Sequence, residues 1–205
     1  MYYGEKLNTW THLVGVLLAL AGTLWLMSIT ISSRDIWKIV SSAIYGVTLI
    51  GLYGVSTAYH SAQGKAKAVL QRLDHLAIYL LIAGSYTPFC LVTLRGPWGW
   101  SLFGVVWALA ALGMFLELRP KSEARVLSVV IYATMGWIVL VAIAPLLEQL
   151  GKTGFFWLAA GGLAYTAGIF FYAFSKRFPS WHGIWHLFVL AGSTFHFIAI
   201  SFFVM

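Results

Sequence analysis

Three histidines stand near the ends of long apolar runs and could share one metal ion. His182 and His186 are four residues apart, so on a helix both imidazoles project from the same face. His60 ends an earlier run and could supply a third nitrogen. Three protein ligands and one open position are typical of a catalytic zinc site. The alternative is that these histidines lie at the membrane interface and hydrogen-bond backbone or lipid headgroups, and the pattern alone leaves both interpretations open.

A carboxylate and a hydroxyl belong to the same predicted site. Asp74 opens the third apolar run and could hydrogen-bond a bound water or a ligand imidazole. Ser56 precedes His60 by one helical turn, so it lies on the same face and could steady the same water. His75 points about 100° away from Asp74 on an ideal helix. We therefore expect Asp74, and not His75, to face the site.

Two further ionisable groups have other predicted roles. His196 follows His186 by ten residues, which is about 15 Å along a helix. That distance excludes it from the same site, and we expect an interhelical hydrogen bond in the core instead. Glu117, near the end of the fourth run, is expected to pair with Arg119 or Lys121.

A polar group precedes and opens the first apolar run. Its members are Glu5, Asn8, Thr11 and His12. We expect this group to cap the first helix or to close the floor of the pocket. A direct metal role for His12 is the lesser alternative.

Seven apolar runs must position these groups, and each is long enough to cross a bilayer. A membrane-spanning helix needs about 20 mostly apolar residues. Such runs lie near residues 10–31, 39–60, 73–94, 98–118, 126–147, 155–174 and 183–204. The first run is too long for the core of a typical signal peptide, so we expect it to be retained. The sequence therefore predicts an all-α membrane protein, with residues 1–205 forming a single seven-helix transmembrane domain.

Prolines interrupt two of these runs. Pro88 and Pro145 fall inside the third and fifth runs, where membrane helices tolerate proline. Both could kink their helices, and a packing irregularity is the alternative.

The composition fits a membrane protein and excludes other classes. Hydrophobic residues make up 60% of the chain and charged residues 9%, whereas about a quarter of a soluble domain is charged. The net charge of +7 does not come from a basic stripe or tail of the kind that binds nucleic acid. The basic residues lie in short loops, where anionic lipid headgroups are the expected partners. The single cysteine, Cys90, lies in an apolar run and is expected to be buried.

The lysines and arginines predict the orientation of the bundle. One set of loops carries nine of them: Lys6, Lys65, Lys67, Arg72, Arg119, Lys121, Arg125, Lys176 and Arg177. The alternate set carries four: Arg34, Lys38, Arg95 and Lys152. The positive-inside rule therefore predicts a cytoplasmic N-terminus, a C-terminus outside, and a multi-pass protein of the inner (plasma) membrane. The helix ends that carry the three histidines and Asp74 then all face the cytoplasm.

Several motifs occur together along nearly the whole chain. They are Glu5-x-x-Asn8-x-x-Thr11-His12, Ser56-x-x-x-His60, Arg72-Leu-Asp74, Gly84-Ser-Tyr-Thr-Pro88 and His182-x-x-x-His186. This combination resembles the progestin and adipoQ receptor family, and especially its bacterial hemolysin III branch. The resemblance implies a seven-helix bundle with an intracellular N-terminus. It also implies Zn²⁺ held by His60, His182 and His186, with an acidic residue and a serine nearby that match Asp74 and Ser56.

These observations favour one enzymatic function and leave a non-enzymatic one open. The first is zinc-assisted hydrolysis of a lipid amide or ester in membrane-lipid homeostasis, with Asp74 as general base or water orienter and an acyl chain held between the helices. The resemblance extends to adiponectin receptors, which are associated with ceramidase-like activity. The alternative is a membrane sensor or regulator in which zinc is structural.

Two further functions rank lower. A transporter needs polar residues along its whole path, whereas these ionisable groups cluster at one end. A cytolytic protein that forms pores begins soluble or forms amphipathic strands, so we expect any haemolysis to be indirect.

Overall fold

Seven α-helices make up most of the part of the chain that the structure describes. The computed structural model describes residues 2, 4–119, 124–175, 177–178 and 180–205. A π-helical turn at Phe89–Thr93 follows the third helix, and a 3₁₀ segment at Ile138–Ala142 joins the fifth to the sixth. The helices are α1 (Lys6–Ser33), α2 (Ile36–Ser61), α3 (Gly64–Pro88), α4 (Pro97–Glu117), α5 (Ala124–Trp137), α6 (Ile143–Phe174) and α7 (Ser180–Phe203).

Within the described residues, six helical segments are long and apolar enough to cross a membrane. The predicted all-helical membrane architecture is therefore confirmed. The number differs from seven because α5 and α6 are joined without a loop, and Leu127–Phe174 counts as one segment of 48 residues. Gly151 interrupts this segment with φ 65° and ψ 174°, a conformation that glycine adopts at little cost. It lies between the predicted runs 126–147 and 155–174.

The structure describes only some of the loop lysines and arginines that predict the orientation. Lys121 and Lys176, two of the basic residues on the predicted cytoplasmic side, lie outside the described residues. The count of seven spans and the direction of the termini therefore stay predictions.

α3 begins well before the predicted residue 73. It starts at Gly64, because the residues that follow, which include Lys65, Lys67 and Arg72, are polar but favourable in helices. Hydropathy detects only the apolar part of such a helix. Asp74 therefore lies inside α3 and not at its first turn.

The two prolines have different effects. Pro88 is the last residue of α3 and is followed directly by the π-helical turn, as expected where a proline disturbs the hydrogen-bond ladder. Pro145 lies in the first turn of α6, where its missing N–H would have no partner within the helix. Pro145 therefore does not interrupt the hydrogen bonds of α6, and the nearby departures from α-helical geometry are the 3₁₀ segment before it and Gly151 after it.

Glycines allow large rings to pack against neighbouring helices, as is usual between membrane helices. A Cβ on Gly15 of α1 would lie 2.4 Å from the ring of Tyr53 on α2. A Cβ on Gly113 of α4 would lie 2.2 Å from the ring of Tyr79 on α3. Both tyrosines are buried, and so is Cys90, as predicted. These contacts hold α1, α2, α3 and α4 close together.

His196 makes the interhelical contact that its position predicts. Its Nε2 lies 3.2 Å from the carbonyl oxygen of Leu158 on α6. A Cβ on Gly161 would lie 2.0 Å from the His196 ring. Gly161 therefore provides the close approach of α6 and α7 that this hydrogen bond needs.

Candidate metal centre

Three histidine rings converge at one end of the bundle. His60 is the penultimate residue of α2, and His182 and His186 lie in the first two turns of α7. One ring nitrogen from each lies within 4.8 Å of the others. The ring centroids of His60 and His186 are 4.8 Å apart, as are those of His182 and His186. The structure therefore brings the three predicted ligands together in a buried group that could hold a metal ion.

The hydrogen bonds of His60 and His186 leave the same atom of each ring available to a metal. His60 Nδ1 lies 2.5 Å from a carboxylate oxygen of Glu5, and His186 Nδ1 lies 3.2 Å from the carbonyl oxygen of Asn8. Both oxygens can only accept, so each Nδ1 carries the hydrogen. Each Nε2 then has a lone pair, and neither has a hydrogen-bond partner within the described ranges.

This arrangement matches the way metal-binding histidines are held. Such histidines donate their second N–H to a carboxylate or a backbone carbonyl, which fixes the tautomer and the ring orientation. Imidazole nitrogens suit zinc, and also other transition metals. The residues present therefore fit a metal ion of this class.

Glu5 connects His60 to Asn8 and Lys67 through hydrogen bonds. Its carboxylate also accepts hydrogen bonds from Asn8 Nδ2, at 2.8 Å, and from Lys67 Nζ, at 2.9 Å. Partial burial raises the pKa of Glu5, but the hydrogen bonds from Lys67, Asn8 and His60 outweigh it and lower that pKa to about 2. Glu5 is therefore an anion at neutral pH.

The first two turns of α1 support both ligand helices. The Glu5 side chain makes no capping hydrogen bond, so the predicted capping role does not apply to it. Thr11 Oγ1 lies 3.4 Å from His186 Nδ1, next to the Asn8 carbonyl. A Cβ on Gly183 would lie 2.4 Å from a methyl carbon of Leu7. The absence of a side chain at Gly183 thus lets α1 lie directly against α7.

His12 lies beside the three converging histidines without joining them. Its ring stacks on His186 with 3.6 Å between centroids and 15° between planes, and meets the ring of Tyr53 edge-on. Nearly parallel rings direct their lone pairs alongside each other and not toward a common point. His12 is also not one of the three converging groups. The geometry therefore does not favour a direct metal role for it.

Asp74 and Ser56 are buried next to this end of the bundle. They are 5% and 1% exposed, and the Ser56 side chain is a hydrogen-bond partner of Asp74. Both line an internal cavity together with His12. Among the described residues the converging metal group consists of the histidines alone, so Asp74 is not a fourth member of it.

A largely apolar cavity extends from these polar side chains into the bundle. It has a volume of about 150 Å³, and its walls come from α1, α2, α3, α5, α6 and α7. A second cavity of about 300 Å³ adjoins it, and Tyr86 and His196 line both. Apolar walls with a few polar groups are typical of small-molecule sites.

His75 and Glu117 form a separate polar cluster. His75 Nδ1 lies 2.8 Å from one oxygen of the Glu117 carboxylate, and Ser128 donates a hydrogen bond of 2.8 Å to the other. The prediction that His75 faces away from the Asp74 site is consistent with this pairing. Glu117 thus joins α4 to α3 and α5, and the expected pairing with Arg119 or Lys121 stays a prediction. Lys121 lies outside the described residues.

The sequence alone did not identify the support that α1 gives to the histidines. The spacing Glu5-x-x-Asn8-x-x-Thr11 places all three side chains on one face of a helix. That signal could have indicated a role for Glu5, but not which histidine it binds.

Comparison with known proteins gives a consistent result over nearly the whole chain. Residues 2–197 match the family described as "Haemolysin-III related". "Hemolysin-3" of Bacillus cereus is 41% identical over 98% of this chain and 92% of its own length. "Hemolysin-3 homolog" of Bacillus subtilis (strain 168) is 40% identical over 97% of this chain and 93% of its own. The human "Monocyte to macrophage differentiation factor" is 31% identical over 97% of this chain and 83% of its own.

Proposed function

Because this chain belongs to the haemolysin-III-related family, we propose that it is a zinc-dependent membrane hydrolase acting on a lipid amide or ester. Its ligands would be His60, His182 and His186. The observation that carries the proposal is the convergence of three imidazole nitrogens within 4.8 Å, close to a cavity that Asp74 and Ser56 line. Three protein ligands leave one coordination position open for chemistry.

The residues around the histidines would divide the chemistry. A zinc ion bound there would polarise a substrate carbonyl and lower the pKa of a bound water to about 7. Asp74 would accept the proton of the attacking water as general base. Ser56, its hydrogen-bond partner, would hold that carboxylate in place. Glu5 and the Asn8 carbonyl would keep His60 and His186 in the tautomer that ligates metal.

The cavity would hold the apolar part of the substrate. Its polar groups His12, Ser56 and Asp74 come from helix segments near the histidines, and most of the remaining wall is apolar. A lipid would therefore lie with its head toward the histidines and its acyl chain between the helices. A role in membrane-lipid homeostasis would follow from such a substrate.

Metal analysis of purified protein tests the ligand set. Wild type should retain about one zinc per chain, since the three histidines form one group. His60→Ala, His182→Ala and His186→Ala should each lose it. His75→Gln is the matched control, because its ring pairs with Glu117 in a separate cluster, and it should retain zinc. Retention of zinc by all three alanine variants would contradict the proposed site.

Turnover needs its own experiment. Purified zinc-loaded protein is incubated with a panel of labelled ceramides and phospholipids, and products are separated by chromatography. Asp74→Asn should retain zinc but lose turnover by about 10²–10⁴-fold, the usual contribution of a general base. If wild type forms no more product than His60→Ala on the whole panel, the protein is not a hydrolase of these lipids.

We also propose that the chain crosses the inner (plasma) membrane seven times, with the N-terminus in the cytoplasm. The 48-residue segment Leu127–Phe174 would extend roughly 72 Å as one helix, more than twice the ~30 Å thickness of a bilayer core. The break at Gly151 would divide it into two crossings. The excess of basic residues in the loops on the N-terminal side supports the direction.

Cysteine labelling tests this topology. Cys90 is buried, so Cys90→Ala gives a background without reactive thiols. Lys152→Cys and Lys65→Cys then add single thiols at exposed positions on opposite predicted sides. A membrane-impermeant maleimide on intact spheroplasts should label position 152 and reach position 65 only after permeabilisation. The reverse pattern would invert the proposed orientation.

A second candidate function is a regulatory protein with structural zinc. It is favoured by the ligands coming from two separate helices, α2 and α7, which a metal ion would join. Removing the metal should then lower the unfolding temperature of the protein, although no lipid in the panel is turned over. Equal unfolding temperatures with and without zinc would exclude this candidate.

A further inference from the structure

The two cavities meet inside the bundle at a ring of residues from four helices. Ser56 and Asp74 line the first cavity only, whereas the second, of about 300 Å³, has walls from the π-helical turn and the 3₁₀ segment. The residues that line both cavities are called the neck here: Ser85 and Tyr86 of α3, Gly136 and Trp137 of α5, Gly162 of α6 and His196 of α7.

Two large side chains of the neck are fixed by hydrogen bonds to the backbone of neighbouring helices. The Tyr86 hydroxyl donates to the Gly136 carbonyl oxygen at 3.0 Å and accepts from the Val139 N–H at 3.1 Å. It is thus inserted between two backbone groups at the point where α5 passes into the 3₁₀ segment. On the facing helix, His196 Nε2 lies 3.2 Å from the carbonyl oxygen of Leu158. Neither ring can turn aside without breaking these bonds, so the neck has a fixed width.

A glycine keeps one side of the neck open. A Cβ on Gly162 would have no described atom within 4 Å. Its neighbour Gly161 is different, because a Cβ there would lie 2.0 Å from the His196 ring. Gly161 therefore serves the packing of α6 against α7, whereas the missing side chain at Gly162 leaves space in the neck.

The distance from the polar end of the first cavity to the neck corresponds to an alkyl chain of limited length. Asp74 and Ser85 are both on α3, and eleven residues of helix extend about 16 Å. An extended alkyl chain advances about 1.3 Å per carbon, because its bonds of about 1.5 Å follow a zigzag. A chain that starts beside Asp74 therefore reaches the neck after about twelve carbons. A longer chain has to bend back, leave the bundle or pass the neck.

We propose that an apolar chain longer than about twelve carbons passes the neck and ends in the second cavity, and that the small residue at position 162 permits this passage. The walls of the second cavity suit the end of such a chain, since they include Phe89, Leu146 and Phe155. Because the neck has a fixed width, the side chains there set the longest chain that fits. The inference rests on the proposed function for the position of the polar head, and it adds the residues that select chain length.

Photolabelling with a chain of known length tests the passage. The probe is 1-hexadecanol with a single diazirine, placed near the head at carbon 5 or near the end at carbon 15. Each probe is irradiated with the zinc-loaded full chain in detergent, and the labelled residues are identified by mass spectrometry. The carbon-5 probe should label residues that line only the first cavity, such as Ile78 and Leu81. The carbon-15 probe should label residues that line only the second, such as Leu146 and Phe155.

Gly162→Leu should block the neck. Labelling by the carbon-5 probe should persist, whereas labelling of Leu146 and Phe155 by the carbon-15 probe should fall at least tenfold. Gly104→Leu is the matched control, because a Cβ on Gly104 also meets no described atom within 4 Å but Gly104 lines neither cavity. It should be labelled like wild type. If Gly162→Leu does not fold, the positions that the two probes label in wild type still decide whether the chain passes the neck.

Competition by unlabelled alcohols measures the length limit. In wild type, 1-hexadecanol should displace the carbon-5 probe at least as well as 1-dodecanol does. In Gly162→Leu, 1-hexadecanol should compete at least tenfold less well than 1-dodecanol, because the carbons beyond the blocked neck lose their apolar contacts.

Three results would overturn the proposal. They are carbon-15 labelling confined to the first cavity or the outer surface of wild type, wild-type labelling and competition in Gly162→Leu, and an equal loss of labelling in Gly104→Leu. Turnover of the lipid panel is followed separately. A chain that passes the neck without turnover of any lipid would count against the proposed hydrolysis and leave the role of the neck intact. Turnover without carbon-15 labelling of the second cavity would do the opposite.

Discussion

Replacing Glu5 by glutamine should weaken zinc binding about 10- to 100-fold, because it changes the group that orients a ligand. Glutamine has nearly the same shape, but it removes the charge that accepts the N–H of His60. A hydrogen bond to a charged group contributes about 1.5–3 kcal/mol. About 1.4 kcal/mol corresponds to a factor of ten in affinity. The energy of the hydrogen bond to Glu5 therefore corresponds to the predicted loss of about 10- to 100-fold in zinc affinity.

Competition with a chromophoric zinc chelator measures the change in affinity. Hydrogen bonds hold the pKa of Glu5 at about 2 despite partial burial, below the value of an unfolded glutamate. Its contribution is therefore fully present above about pH 5 and is lost only as the pH falls toward the folded pKa. Glu5 should accordingly stay charged, and wild type should bind zinc more tightly than Glu5→Gln, throughout the range from about pH 5 to pH 8.

Glu117→Gln is the matched control. It also removes a carboxylate from a histidine, but that histidine is His75 in the separate cluster. It should lower the unfolding temperature and leave zinc affinity unchanged. Wild-type affinity in Glu5→Gln, or an equal loss in both variants, would refute the reasoning, because the effect would then not pass through His60.

Three further predictions concern packing, charge and metal. Gly113→Ala should destabilise the protein by about 1–3 kcal/mol, since its Cβ would meet the ring of Tyr79. Gly104→Ala on the same helix should be neutral or slightly stabilising, because its Cβ would meet nothing within 4 Å. Equal unfolding temperatures of Gly113→Ala and Gly104→Ala would contradict the packing of Gly113 against Tyr79. Lys67→Met should change zinc affinity by less than about threefold. A loss as large as that of Glu5→Gln would show that the charge of Lys67 beside Glu5 matters more than the contact between Glu5 and His60. Chelation of zinc should lower the unfolding temperature of the protein. If zinc had been present at 100 times its Kd, the lost stabilisation is about 2.7 kcal/mol. A lower unfolding temperature that persists after zinc is restored would indicate irreversible damage instead.

Local periodicity explains why the convergence of the three histidines was predictable. The four-residue spacing of His182 and His186 has one meaning on a helix, whatever surrounds it. His60 ends an apolar run, so the length of that run fixed its depth. These features need no knowledge of which helices are neighbours.

The support for those ligands was not predictable because it depends on distant pairs. Glu5 and His60 are 55 residues apart, and Asn8 and His186 are 178 apart. Glu117 is a similar case, since it pairs with His75 across 42 residues. Sequence pattern gives the face on which a residue lies, but not the helix that covers that face.

The ends of helices were predicted less well than their existence. Hydropathy found the apolar part of α3 and missed its polar start at Gly64. It also separated runs 126–147 and 155–174, although α5 and α6 continue through a 3₁₀ segment. Whether a glycine such as Gly151 makes a turn or only a break depends on packing that hydropathy does not include.

The contact between α1 and α7 sets an order of events during synthesis. The Asn8 carbonyl can contact His186 only late in synthesis. His186 leaves the ribosome after α1 to α6 have been made. A nascent chain that stops before residue 182 has a single one of the three imidazoles and should retain no ion. Metal retention would therefore mark the chains whose insertion is complete, and an incomplete chain could be distinguished by the cell, or by an experimenter, through its lack of zinc.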